Sequence, residues 1–279
     1  MILRIAGALA TDVARHARVG GIAGLAFVAL LMLVSVLAPL GGYPIGADVD
    51  GTARSLGPSA AHWLGTDHLG RDTAWRLVLA SRAFVAPGVL SCAVAAALGV
   101  PLGAFAGWSG GGASLWVRTA IGSVAAVPRL VLVLLFCAVY GNSPIVLALG
   151  AGLAAAPPLA EAVHMRIERL RLEEFVLASR AHGLSEFRIV LVHLVGAACG
   201  RAIARHLLEA FGAFVVLECT LSYLGGLGVQ EPVPSWGNML AFEWGRGMGA
   251  SVLAPGLAIF VTIGACTLAA SLFAEVEDG

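Results

Sequence analysis

Four charged side chains lie inside long apolar runs of this 279-residue sequence: Arg129, Glu161, Glu209 and Glu218. An ionised group is costly in hydrocarbon, so in such a run it faces a bundle interior, a partner charge or an aqueous path. Glu218, within the run 206–224, is the candidate for lining a pathway; its other reading is a buried carboxylate hydrogen-bonded to a neighbouring helix. Glu161 and Glu209 lie nearer the ends of their runs and are expected to pair with Arg166 or Arg205, or with a partner protein. Bond-making constellations are missing. There is no HExxH, no GxSxG, no carboxylate pair with a base beside it, and no GxxxxGK[ST] phosphate loop. None of the seven histidines is paired at metal-ligand spacing. The five cysteines (Cys92, Cys137, Cys199, Cys219 and Cys266) are scattered, mostly in apolar stretches, with no CxxC pair, so neither a zinc site nor a disulfide framework is indicated.

The elements that must position these residues are membrane helices. Mean hydropathy is +0.90, with 59% hydrophobic and only 12% charged residues, half the roughly 25% charged residues of a soluble domain. Thirty-six glycines suit helices whose backbones approach closely in lipid. All seventeen basic residues are arginine and the formal net charge is zero, which is no footprint for nucleic acid. A crossing helix needs about 20 mostly apolar residues. Six runs qualify: 19–40, 84–108, 120–140 with Pro128 and Arg129 inside it, 143–163 with Pro157 and Pro158 near its end, 206–224 and 251–273. The first run is too long for a signal peptide and further spans follow, so it is read as retained.

The expected fold is therefore an all-α polytopic membrane protein with six transmembrane helices. It forms one domain over 19–273, with tails at 1–18 and 274–279 in the cytoplasm. Orientation follows from arginine, which is retained on the cytoplasmic side. With the N-terminus inside, eleven arginines (Arg4, Arg15, Arg18, Arg118, Arg166, Arg169, Arg171, Arg180, Arg188, Arg201 and Arg205) face the cytoplasm. Five (Arg54, Arg71, Arg76, Arg82 and Arg246) fall outside.

Two segments exceed what a plain bundle needs. The outer loop 41–83 ends in an expected amphipathic surface helix from Asp72 to Arg82. The inner loop 164–205 is long, charged and helical in composition. Within it, Glu173 to Ala181 reads as a short helix whose small residues Ala178, Ser179 and Ala181 make a face that another surface can approach. Gly183 is placed to end that helix, since glycine takes the left-handed C′ conformation without steric cost. Ser185 can cap a second helix through Phe187, Ile189 and Leu191. A helix, a glycine break and a second helix are suited to receiving force from another protein; the plain alternative is an ordinary interfacial helix pair.

At this point the chain resembles a known family. Ala178-Ser179, then Gly183, then the apolar stretch to Val195 resembles the EAA loop of bacterial ABC-importer permeases, although Leu177 stands where the motif has glutamate and Gly196 where it has proline. His62-Trp63-Leu64-Gly65-Thr66-Asp67-His68-Leu69-Gly70-Arg71-Asp72 is similar to the first-outer-loop signature of the peptide/nickel branch. So are the blocks Leu221 to Gln230, Pro234 to Leu240 and Pro255 to Phe260, which follow in family order. The short N-terminal stretch resembles the second permease of the pair.

The resemblance implies a type I ABC-importer permease fold in the inner membrane of a bacterium, catalytically silent itself. It implies a coupling helix that docks on an ATPase through Phe175, Ala178, Ser179, Arg180, Gly183 and Leu184. It also implies an outer-loop signature at Gly65, Thr66, Asp67, Gly70, Arg71, Asp72, Trp236 and Gly237. The partners implied are a homologous second permease, two ATPase subunits holding ATP and magnesium, and an extracytoplasmic binding protein; no cofactor is expected on this chain. The cargo implied is nickel or a nickel chelate, from Phe175 to Arg180 and His193 to Gly196, or a di- or oligopeptide, from Glu218 and Pro234 to Asn238. The competing classes are a stand-alone channel or secondary transporter, and an integral-membrane enzyme. An inverted repeat would favour the transporter, and convergent catalytic groups at one depth would favour the enzyme.

Overall fold

Proline and glycine decide where the helices of this chain break and where they touch. The computed structural model describes residues 2–41, 49–246 and 249–274. Helix α1 runs Ile2–Leu37, so most of the stretch expected as a tail at 1–18 is continuous with the first helix. The expected tail at 274–279 lies outside the described residues from 275 onward. Next come α2 (Thr73–Ala80), α3 (Arg82–Ser109), α4 (Gly111–Ala125), α5 (Arg129–Tyr140) and α6 (Pro144–Leu170). They are followed by α7 (Glu174–Ala181), α8 (Glu186–Arg188), α9 (Gly200–Leu224), α10 (Trp236–Glu243) and α11 (Ala250–Ser271). Among the described residues the only β pairing is an isolated bridge between Thr66 and Asp72. Among the described residues, five helical stretches are long and apolar enough to cross a membrane, or six if α4 and α5 count as one span.

That pair divides the expected span over 120–140: α4 and α5 meet at a bend of 81°. Pro128 is the cause. It has no N–H for a helical bond and drives the preceding residue out of the α region, and its own ψ of 132° starts α5 afresh. The expected surface helix over 72–82 is likewise different. Asp72 caps α2, its carboxylate accepting from the Trp75 N–H at 2.9 Å, but Thr73, Arg76, Leu79 and Ala80 are buried. Ser81 keeps helical angles, and α2 leads straight into α3.

In lipid there is little hydrophobic drive between helices, so packing depends on close backbone approach. Gly99, Gly103 and Gly107, one turn apart on α3, face Ala156, Ala160 and His164 of α6 in register, so the two helices run parallel. A Cβ would stand 2.8 Å from the Ala156 carbonyl oxygen at Gly99, and 2.8 Å from that of His164 at Gly107. Gly21 and Gly24 of α1 do the same against Leu272, just past α11, and Ala265 of α11, which runs antiparallel.

Two apolar clusters result. One joins Phe84, Val133, Leu147, Phe211, Phe214 and Trp236 towards the end that carries loops 49–72 and 225–235. The other joins Leu159, Val163, Ile167, Val176, Ile189 and Leu194 at the opposite end. Leu30, Leu33, Val139 and Phe260 stay exposed on the outside of the bundle, where lipid tails replace water.

Candidate functional site

The segment between α6 and α9 is built from local signals. Glu173, with extended angles, precedes α7, and the helix ends in a complete Schellman motif. The Gly183 N–H donates to the Arg180 carbonyl at 2.9 Å and the Leu184 N–H to that of Ser179 at 3.2 Å, with Gly183 at φ +79°. That is the conformation in which glycine alone is unstrained. Ser185 then caps α8, its hydroxyl accepting from the Arg188 N–H at 3.4 Å. Residues 189–198 continue as a π-helix, in which bonds span five residues, as from the Cys199 N–H to the Leu194 carbonyl at 2.8 Å. Ile189 and Leu194 are fully buried and hold this wide helix on the bundle.

The six residues expected to dock on a partner do not share one role. Phe175 and Ala178 are exposed, together with Leu172, Leu177 and Phe187, while Val176 is the one buried residue of α7. Ser179 is half-buried, and its hydroxyl donates to the Phe175 carbonyl at 2.7 Å. Gly183 makes the turn, and Leu184 packs against the inner apolar cluster. Arg180 is committed within the chain. It donates to both Glu186 oxygens at 2.9 and 3.1 Å, and its guanidinium lies 4.9 Å above the Trp108 ring at the end of α3.

At the opposite end, the signature residues form a structural clasp. Asp67 accepts from the backbone N–H groups of Leu69 and Arg71, both at 2.9 Å, and from the Arg71 Nε at 2.7 Å. Glu231 accepts from the Arg71 Nη1 at 2.7 Å and from the Arg76 Nη2 at 2.6 Å. Two buried guanidiniums are thus balanced by two carboxylates. Burial works against the charge on Arg71, and the bonds from Glu231 and Asp67 hold its pKa above the ordinary arginine value all the same.

Three further ties surround the clasp. His62 bonds to Asp72 at 2.8 Å, and His68 to Glu243 at 2.7 Å. Gly65 and Gly70 sit at φ +75° and +84°; a Cβ on Gly70 would strike the Asp50 carbonyl. Trp236 donates its indole N–H to the Leu77 carbonyl at 2.9 Å and meets the Phe84 ring at a tilt, with centroids 4.5 Å apart. Gly237 lets the start of α10 lie against the Cys219 backbone.

Glu218 belongs to the same end. It lies six residues before the end of α9, only 2% exposed, and accepts from the Ser222 hydroxyl at 2.6 Å and the Ser235 hydroxyl at 3.2 Å. Ser222 also accepts from the Val229 N–H at 2.8 Å. The carboxylate therefore ties α9 to the loop that leads into α10. Glu209 pairs with Arg205 at 3.0 Å, whereas Glu161 pairs with Arg118 of α4 at 3.5 Å rather than with Arg166. Arg129 is the exposed first residue of α5, directly after the 81° bend.

Sequence reasoning put Arg76 at this end but did not single out Arg76, Glu231 or Glu243 as members of the clasp. Glu231 follows directly on the block that closes at Gln230, but its partners Arg71 and Arg76 are 160 and 155 residues away. A count of outer-loop charges needing partners is the signal that could have found it.

Comparison with known proteins agrees with this architecture. Residues 99–276 match the family described as binding-protein-dependent transport system inner membrane component. The chain is 30% identical over 244 residues to the dipeptide transport system permease protein DppC of Alkalihalophilus pseudofirmus, covering 87% of this chain and 80% of that protein. It is 31% identical over 224 residues to the nickel transport system permease protein NikC of Escherichia coli K12, covering 79% of each. A solved structure of the MetNI methionine ABC transporter in inward-facing conformations shares the fold, with a TM-score of 0.54 at 17% identity over 72% of this chain and 97% of that one. The chain belongs to the inner-membrane components of binding-protein-dependent transport systems, and is an ABC-importer permease subunit.

Proposed function

We propose that this permease forms half of a translocation pathway beside a homologous second permease, and that α7 couples the pathway to two ATPase subunits carrying ATP and magnesium. The observation behind this reading is the state of α7. Its apolar side chains Phe175 and Leu177 are exposed with Ala178 between them, Val176 alone is buried, and the helix stops at a complete glycine cap. An apolar projection among charged residues at the end of a bundle is a surface made to be covered by protein. The arginine distribution puts that end in the cytoplasm and the clasp end outside, where a cargo-loaded binding protein would dock.

The cycle follows from these positions. ATP closes the two ATPases, the coupling helices move with them, and the pathway turns from inward- to outward-facing. Cargo enters from the binding protein, and hydrolysis resets the inward state. The cargo is a short peptide or nickel, free or chelated, a choice supported by the similarity to permeases named for dipeptides and for nickel.

The test uses the purified importer complex. Ala178→Asp places a charge in a close-packed contact, where it has no partner. The permease pair should still assemble, while the ATPases dissociate and cargo-stimulated hydrolysis falls. Full ATPase retention with full stimulation would show that α7 is not the dock. The cargo itself would be identified by mass spectrometry and elemental analysis of what co-purifies with the cognate binding protein.

A further inference from the structure

A cavity of about 1100 Å3 opens between the end of α1, the start of α3 and the loop at 228–234. Its walls are mostly apolar: Met32 and Val36 come from α1, and Val85 and Val89 from α3. Val36 and Val89 are 70% and 47% exposed, so the apolar wall is open rather than sealed inside the protein. Among the described residues, Arg82 is the one charged residue lining the cavity; it is exposed, and its side chain makes no hydrogen bond or ion pair with them. Its neighbours on the polar side are satisfied. The Gln230 amide donates to the Leu227 carbonyl at 2.6 Å, and Asn142 bonds to Gly226 and Gly228. The backbone at Arg82 offers no free helix end either, because the Val85 N–H is bonded to the Ser81 carbonyl at 3.0 Å.

Depth matters as much as composition. Arg82 opens α3, and Met32 lies five residues before the end of α1. With these helix ends at the interface, the cavity reaches about 7 Å along α1 to Met32 and about 10 Å along α3 to Val89, at 1.5 Å per helical residue. A cation at the interface above an apolar slot between two crossing helices matches an amphiphile with an anionic head. Guanidinium meets phosphate oxygens through two parallel N–H donors, and basic pockets between membrane helices hold anionic lipid headgroups. We infer that this cavity binds one anionic phospholipid, its phosphate on Arg82 and the upper part of its chains along α1 and α3. Such a lipid would fill the gap between α1 and α3 and brace α1 against the 228–234 loop.

The experiment takes the full chain in neutral detergent and the assembled importer complex. Each is exposed to mixed micelles of phosphatidylglycerol or phosphatidylcholine, and retained lipid is counted by native mass spectrometry. Phosphatidylglycerol should be retained in preference to phosphatidylcholine in both preparations. Arg82→Gln should lower phosphatidylglycerol retention about fivefold, the value of one interfacial arginine near an anionic lipid, with phosphatidylcholine unchanged. Arg82→Lys should keep the preference. Val89→Trp, which fills the slot without touching the charge, should lower retention of both lipids. Undiminished phosphatidylglycerol retention in Arg82→Gln overturns the proposal. So does its displacement by inorganic phosphate, which would mark an anion site without a lipid. Loss of the lipid on assembly also overturns it, because the slot would then be covered by the second permease.

Discussion

At the scale of single residues, charge pairing governs the outer end. Arg71 and Arg76 are buried at 5% and 4% exposure, and they share two carboxylates, Asp67 and Glu231. Removing one partner of a buried pair leaves the other charge uncompensated, at about 3–5 kcal/mol. Glu231→Ala should therefore destabilise the folded chain by about 3 kcal/mol, read as a lowered midpoint of thermal unfolding in detergent. An unchanged midpoint would mean that the two arginines find another acceptor. Glu218 is a different case, since its partners are the neutral hydroxyls of Ser222 and Ser235. Glu218→Ala would strand both, at about 1–3 kcal/mol, and loosen α10 from α9. If instead Glu218 serves the pathway, Glu218→Gln should impair uptake in a complex that still assembles and melts like the parent. Measuring assembly, melting and uptake on the same preparations separates the two roles.

At the scale of elements, two glycines carry opposite burdens. Gly183 has open space around its Cβ position, so a side chain there would clash with nothing; the strain comes from φ +79° alone. A β-branched residue in the left-handed region costs about 1–2 kcal/mol, paid within the α7–α8 turn. Gly183→Val should leave membrane insertion and pairing with the second permease intact. Cargo-stimulated ATP hydrolysis should nevertheless fall, and a variant with full coupling would remove α7 from the coupling path. Gly103 has ordinary helical geometry, but a Cβ there would run into the Ala160 carbonyl and Val163. Gly103→Val should push α3 off α6, at about 1–3 kcal/mol or more for an overpacked contact. The purified protein should lose its monodisperse peak in size-exclusion chromatography.

At the scale of the whole molecule, sidedness is the first thing to check. The chain's own cysteines are buried or half-buried, so an impermeant thiol reagent starts from a quiet background. A cysteine at Ser185 should react only from the cytoplasmic side and one at Ala61 only from outside, and the reverse pattern would invert the arrangement. The sequence alone determined the class of fold, the membrane runs, the glycine cap at 183 and the serine cap at 185. These are local quantities: hydropathy over about 20 residues, or a backbone preference of one residue. The sequence also held the family blocks, whose order along the chain needs no folding to be read. Tertiary structure decided what depends on distance. It buried Thr73 and Arg76 on the inward face of α2. It tied Arg180 to Glu186 and Trp108. It also joined Arg71 and Arg76 to Glu231 across some 160 residues. A charge in an apolar run states only that it needs a partner, and which partner it meets is fixed by how the helices pack.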